Sequence, residues 1–141
     1  NGAQMIARKI NSNIAIVTDV CHCTQTPMMN KISSGDQACG KGPVLSYAPA
    51  VQNNLLKLVI DTAKKNKIVF QRQAASRATG TDTDAFAYST DGIASVLISL
   101  PLRYMHTTVE SVHKQDVEDV IKLMYHSLKA IKNNHDFRYL K

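Results

Sequence analysis

The chain has 141 residues, with 17 Lys and Arg against 11 Asp and Glu, and so carries a net charge of +6 at pH 7. This length suits one domain, and the scattered basic residues form no dense run, which argues against nucleic-acid binding. The longest apolar stretch, residues 94–102, has about half of the ~20 residues that a membrane span needs, and the first residues do not form a signal peptide. Three cysteines, an odd number, argue against a disulfide framework and for a reducing, cytoplasmic location.

The first half of the chain predicts alternating helices and strands. Residues 3–10 suit a short amphipathic helix, and the apolar run 14–20 is typical of a buried strand. Residues 21–42, rich in Thr, Ser, Gly and Asn, suit a long loop, and long loops in compact domains are often functional. The next predicted elements are a short strand at 44–47, a helix that begins at Pro49 and ends near Lys65, and a strand at 68–72.

The second half continues this alternation, with a helix predicted at 83–89, a strand at 94–100 and a long helix at 115–131. Residues 133–141 look like a mobile tail. The apolar residues of the long helix predict its buried stripe: Val117, Val120, Ile121, Met124, Leu128 and Ile131. Strands that alternate with helices imply parallel pairing. The predicted fold class is therefore α/β, a three-layer α/β/α sandwich whose mostly parallel sheet has 14–20, 68–72 and 94–100 as neighbouring strands.

Polar side chains follow the apolar strands of this predicted sheet. Asp19 comes at the end of the first strand, and His106 follows the strand at 94–100, which an acid-bearing turn at 80–86 precedes. Open α/β sheets bind ligands at the carboxyl ends of their strands, so Asp19 and His106 can meet there. Carboxylate and imidazole are metal ligands. From the residues alone, Asp19 can instead cap the following segment, and His106 can be a packed or surface histidine.

Four landmarks follow one another along the chain: Thr18-Asp19-Val20, Gly40-Lys41-Gly42-Pro43, Gly80-Thr81-Asp82, and Arg103-Tyr104-Met105-His106 with Val109-Glu110 behind it. With these landmarks the chain, from residue 2 to 131, resembles the C-terminal half of a dinuclear metallo-aminopeptidase of the glutamyl-aminopeptidase and tetrahedral-aminopeptidase family. The resemblance implies a zinc-peptidase-like sheet that is incomplete at its N-terminal side. It also implies that residues 1–141 form the C-terminal part of the catalytic metallopeptidase domain.

The resemblance further implies a chemistry. Asp19 matches the aspartate that binds one metal ion of a pair, and His106 matches the histidine that binds the second. The ions would be zinc or cobalt, with manganese as a further option, and would activate water to remove N-terminal residues from peptides. In the family the first ligands, the general-base glutamate and an oligomerisation domain lie upstream of residue 1. We therefore expect no catalytic residue here, no activity of this chain alone, and a homo-oligomer formed through a domain outside it.

Two further substrate-binding candidates each have a structural alternative. Gly80-Thr81-Asp82 matches a family segment that shapes the substrate pocket, because glycine allows close backbone approach, but Asp82 can instead be a cap of the next helix. Arg103 can anchor a carboxylate through its planar guanidinium, or it can form an ion pair with Glu110. Both interpretations stay open at each position.

Two other motifs are weaker. Lys41 in the Gly40–Pro43 segment would position a loop at the site. The segment does not predict a phosphate-binding loop, because it lacks the required glycine spacing. Cys21-His22-Cys23 suggests zinc, but one Cys-x-Cys without a second pair is a weak metal signal. Two alternatives to the aminopeptidase also stay open: another dinuclear amide or acyl hydrolase of the same fold (a carboxypeptidase or deacylase), and a non-catalytic binding module. A Glu-Glu pair just upstream of the chain would favour the peptidase.

Overall fold

The computed structural model describes residues 2–10 and 12–139. In this part of the chain the helices are α1 (Gly2–Lys9), α2 (Lys31–Ser34), α3 (Asn53–Lys65), α4 (Asp82–Ala87) and α5 (Lys114–Ala130). The strands are β1 (Ile14–His22), β2 (Val44–Tyr47), β3 (Gln71–Ala74), β4 (Ala94–Arg103) and β5 (Ser111–Val112). None of these helices is long and apolar enough to cross a membrane.

All five strands belong to one sheet, in the order β1-β4-β2-β3, with β5 also paired to β4. The ladder between β1 and β4 is parallel over the whole of β1, from Ile14 opposite Ala94 to His22 opposite Leu102. The β2–β3 ladder is also parallel, whereas β2 and β5 each pair with β4 in the antiparallel direction over two residues. Most of the ladder is therefore parallel, as predicted.

Helices cover the sheet in two groups. α3 and α5 pack on each other and on β4, whereas α1 and α4 pack on each other, and α4 also contacts β1 and β4. The buried core lies around the middle of β4, where Val96 and Ile98 are fully enclosed, and it includes Leu55 and Val59 of α3. The predicted α/β/α sandwich is confirmed.

The strand predicted at 68–72 is wrong in position. β3 begins at Gln71 and pairs with β2 rather than with β4, so the segments 14–20, 68–72 and 94–100 are not successive neighbours. The apolar residues Ile68 to Phe70 precede the strand. The Gln71 side chain explains the register, because it accepts a hydrogen bond from Ala38 N at 2.8 Å and donates to the carbonyls of Ala38 and Gly42 at 2.9 Å.

Two predicted boundaries also differ. α3 begins at Asn53 rather than Pro49, because Val51 N donates to Ala48 O to close a turn and the Gln52 side chain then caps the helix by accepting from Leu55 N. β1 continues to His22, so the segment predicted as a loop from residue 21 begins later and contains α2.

The predicted buried stripe of α5 is wrong in part. Ile121 and Leu128 are exposed, whereas Leu123 and Ser127 are buried, together with Asp116. Val120, Met124 and Ile131 do pack against the core, as predicted. The buried face of α5 contains Asp116 and Ser127, which an apolar pattern does not detect. The predicted face is therefore rotated about the helix axis from the observed one.

The tail predicted at 133–141 packs on the domain as far as it is described. Phe137 is buried in the core, and its ring lies edge-on to His135, with 5.5 Å between ring centroids. Residues 140 and 141 lie outside the described part. A buried aromatic side chain fixes this segment against α3 and the end of α5, so the prediction of a mobile tail is wrong for residues 133–139.

Candidate metal and substrate site at the carboxyl edge of the sheet

Asp19 lies within β1, three residues before the last residue of the strand, opposite Ser99 of β4. Its side chain is half-buried. One carboxylate oxygen accepts a hydrogen bond from Val20 N at 2.7 Å, and the other oxygen forms no hydrogen bond with any described residue. A half-buried carboxylate with an unused oxygen can accept a cation or a donor from a ligand.

His106 lies three residues beyond β4, in a turn that follows the strand. Its backbone has φ of +66°, and Tyr104 has φ of +55°, so two non-glycine residues adopt the left-handed conformation. Glu110 stabilises this turn, because its Oε1 accepts from His106 N at 2.5 Å. The imidazole is exposed, has no hydrogen bond to a described residue, and lies with its centroid 6.2 Å from that of the His22 ring.

The Gly80 turn is held by Asp84. Its carboxylate accepts from Thr79 N at 3.1 Å, from Thr79 Oγ1 at 3.0 Å and from Gly80 N at 3.0 Å. The α4 cap is Thr81, whose hydroxyl accepts from Thr83 N at 3.2 Å. The interpretation of Asp82 as the cap is therefore wrong, because Asp82 is the first residue of the helix and its exposed side chain remains free to contact a ligand.

Two adjoining cavities bring these segments together. A cavity of about 320 Å³ is lined by Asp19, by Gly80-Thr81-Asp82 and by residues of α1 and α4. A second cavity of about 480 Å³ is lined by His22, Ser99, Met105 and Thr81 among others. Thr81 lines both cavities, and Met105 is the neighbour of His106. Asp19 and the Gly80–Asp82 segment thus share the smaller cavity, and Met105 of the His106 turn lines the larger one.

Arg103 forms no ion pair with Glu110, whose carboxylate binds the backbone of His106 instead. The guanidinium lies over the Tyr104 ring, 5.3 Å from its centroid, and donates to the Tyr104 hydroxyl at 3.4 Å. The Arg103 Nε is buried and has no hydrogen-bond partner. The ion-pair interpretation is wrong, and the role in binding a substrate carboxylate stays a prediction.

The Gly40–Gly42 loop is held by Asp116, in the first turn of α5. Asp116 has no exposed surface, and its two oxygens accept from Gly40 N at 2.7 Å and from Gly42 N at 2.8 Å. Lys41 between these glycines is exposed. Gly42 has φ of +82°, and a Cβ there would lie 2.0 Å from Val69 O, so only glycine fits. Asp116, rather than Lys41, positions this loop.

The three cysteines do not support a zinc site at Cys21-His22-Cys23. Burial, followed by the nearby Cys39, raises the pKa of Cys21 to about 12. Burial also raises the pKa of Cys39 to about 11, and the adjacent Cys23 thiol adds to this shift. These two groups therefore remain thiols near neutral pH. Within residues 2–10 and 12–139, no three His, Cys, Asp or Glu side chains are placed to hold one metal ion.

No role was predicted from the sequence for Asp116 or Asp84, and His22 was named only as part of the Cys21-His22-Cys23 motif. The signal for Asp84 was present, because an aspartate four residues after a glycine can fold back on the turn. Asp116 and His22 gave no such local signal, since their partners Gly40 and His106 are distant in the sequence. Only the fold brings these pairs together.

The arrangement defines a class: an α/β/α domain with its candidate site at the carboxyl ends of parallel strands. The family model for M42 glutamyl aminopeptidase matches residues 1–123. The chain therefore belongs to the M42 glutamyl aminopeptidase family. The predicted family resemblance is confirmed.

Individual relatives agree with this assignment. The chain is 33% identical over 131 residues to a lysyl aminopeptidase of Pyrococcus furiosus, covering 93% of this chain and 37% of that protein. It superposes on the TET aminopeptidase of a marine sediment Thaumarchaeota archaeon with a TM-score of 0.80 at 27% identity, over 100% of this chain and 37% of that one. The Pyrococcus horikoshii TET1 peptidase, which assembles into a tetrahedron or an octahedral shell, gives a TM-score of 0.65 at 28% identity, over 90% of this chain and 36% of that one. The chain thus spans a little over a third of the length of these relatives.

Proposed function

We propose that residues 1–141 form the C-terminal part of the catalytic domain of a metal-dependent aminopeptidase, which removes N-terminal residues from peptides. Family membership supports this proposal. The observation that carries it in the structure is the grouping of Asp19 and Gly80-Thr81-Asp82 around one cavity, with the His106 turn beside it. This grouping lies where open α/β sheets bind their ligands.

Asp19 and His106 fit the role of metal ligands by their chemistry. Each keeps an atom free for coordination, because the second oxygen of Asp19 and the whole His106 ring have no hydrogen bond to described residues. Carboxylate oxygen and imidazole nitrogen suit zinc, and cobalt or manganese can replace zinc in such sites. When bound, a pair of such ions lowers the pKa of water and stabilises the charge of the tetrahedral transition state.

The remaining site residues would bind and orient the peptide. Gly80-Thr81-Asp82 line the cavity that contains Asp19, so this segment would contact the substrate near the scissile bond. Arg103, whose guanidinium forms no ion pair with a described acid, would bind a carboxylate of the substrate. The general-base glutamate, the other ligands and the surface for homo-oligomer assembly would come from outside residues 1–141. The proposal also places the protein in the cytoplasm, in keeping with its three unpaired cysteines.

The test uses the complete protein that contains this chain, purified with zinc or cobalt. His106→Ala and Asp19→Ala should each remove about one metal ion per subunit and lower kcat/KM on an aminoacyl amide by more than about 10³-fold, because each change removes several kcal/mol of transition-state stabilisation. Metal content by elemental analysis and initial rates are measured on the same samples.

His126→Ala serves as the matched control, since this half-buried histidine of α5 contacts Tyr125 and does not line either cavity. The control should keep both ions and normal turnover. If His106→Ala behaves like His126→Ala, the assignment of His106 as a ligand is wrong.

A further inference from the structure

His22 is the last residue of β1, and pairing with β4 fixes the backbone around it. It stands opposite Leu102 in the parallel ladder, and the next residue, Cys23, donates its N–H to Leu102 O at 2.8 Å. The imidazole is exposed and lines the larger cavity at the carboxyl edge of the sheet. His22 is therefore an aromatic side chain on a rigid strand end, three residues beyond Asp19.

The His106 ring, in contrast, has almost no support of its own. The bond from His106 N to Glu110 fixes the backbone of the turn but not the side chain. Among the described residues, the His106 imidazole has no hydrogen bond or ion pair, and its one ring contact is with His22. The two rings meet edge to face, at an interplanar angle of 75° and a centroid separation of 6.2 Å. This separation lies within the range of about 4.5–7 Å in which aromatic pairs attract one another.

A histidine that binds a metal is usually oriented by a hydrogen bond from its second ring nitrogen, and the His106 ring has no such bond to a described residue. We propose that His22 is the positioning residue that orients the His106 imidazole for its ion. This inference rests on the proposed function, because it requires His106 to be a ligand. It assigns to His22 a packing role through the ring, without a bond to the metal.

The experiment compares three variants of the complete protein: His22→Ala, His22→Phe and Gln25→Ala. Phenylalanine keeps an aromatic edge at position 22 but has no nitrogen. Gln25 is an exposed polar residue three positions further along and serves as the matched control. For each variant we would measure cobalt affinity by titration, the visible absorption spectrum of the bound cobalt, kcat and KM on an aminoacyl amide, and the midpoint of thermal unfolding.

His22→Ala should weaken binding of one of the two ions by up to about tenfold, as expected for loss of an aromatic contact, change the cobalt spectrum and lower kcat more than it changes KM. His22→Phe should restore the affinity to within about threefold of the unmodified protein, because it preserves the ring contact. Gln25→Ala should match the unmodified protein in every measurement.

Three outcomes would overturn the inference. Unchanged cobalt affinity and spectrum in His22→Ala would show that His106 needs no support from His22, and a change in thermal stability alone would reduce His22 to a structural residue. Equal damage in His22→Phe and His22→Ala would point to a role of the imidazole nitrogens instead. The proposed function fails separately, by full metal occupancy and turnover in His106→Ala, so the two failures are distinguishable.

Discussion

Asp116 and Asp19 are carboxylates near the same edge of the sheet, but their surroundings differ. Asp116 has no exposed surface, and each of its oxygens accepts one backbone N–H from the Gly40–Gly42 loop. Asp19 is half-buried and uses one oxygen, in a bond to the next residue of its own strand. Asp116 is inaccessible to a ligand, and both of its oxygens already accept a hydrogen bond, so it stabilises the fold. Asp19 is partly accessible and has an oxygen without a hydrogen bond to a described residue, so it can bind a cation.

The largest expected loss of stability follows from removing the buried carboxylate of Asp116. Asp116→Ala should lower the free energy of unfolding by about 3 kcal/mol, since it leaves the buried N–H of Gly42 without a partner, which costs about 1–3 kcal/mol, and removes a second bond from the exposed Gly40 N–H, worth about 1 kcal/mol. Asp19→Ala should change it by less than about 1 kcal/mol, because its only bond is local. Urea unfolding of the two variants measures both values. Equal losses would contradict the division of roles between the two residues.

A smaller difference in stability is expected between substitutions at Gly42 and at Gly80, which lie in the loops near Asp116 and Asp19. Gly42 and Gly80 both have positive φ, but a Cβ at Gly42 would lie 2.0 Å from Val69 O, whereas a Cβ at Gly80 would meet nothing within 4 Å. Gly42→Ala should therefore cost at least about 2 kcal/mol, and Gly80→Ala should cost about 1 kcal/mol, the backbone strain alone. Thermal unfolding of the pair is the measurement. If Gly80→Ala is the more damaging of the two, the loop at Gly42 is not held as tightly as its contacts indicate.

The sequence predicted the apolar parts of the fold well. β1 and β4 were found because continuous apolar runs are typical of buried parallel strands, and both strands do pair in parallel. β3 was placed too early, because its register depends on hydrogen bonds between the Gln71 side chain and the backbone of residues 38 and 42, which no local pattern contains. Local periodicity therefore finds an apolar strand but not the start of a polar one.

The candidate site was predictable in part for the same reason. Asp19 lies near the end of β1 and His106 follows β4, so the parallel pairing of these strands accounts for their position toward the same edge of the sheet. The contacts that organise the edge join residues far apart in the sequence, such as Asp116 with Gly40 and His22 with His106, and the fold alone creates them. The alternative of Asp82 as the cap rested on the preference for acids at helix starts, but the neighbouring Thr81 fills that role.

The most direct test is a crystal structure of the complete protein with zinc, in which anomalous scattering locates the ions. We expect an Asp19 oxygen at about 2.0–2.2 Å from one ion, a His106 nitrogen at about 2.0–2.1 Å from the second, and the two ions about 3.5–4 Å apart. Zinc bound elsewhere, with Asp19 and His106 outside coordination distance of both ions, would contradict the proposed two-metal aminopeptidase.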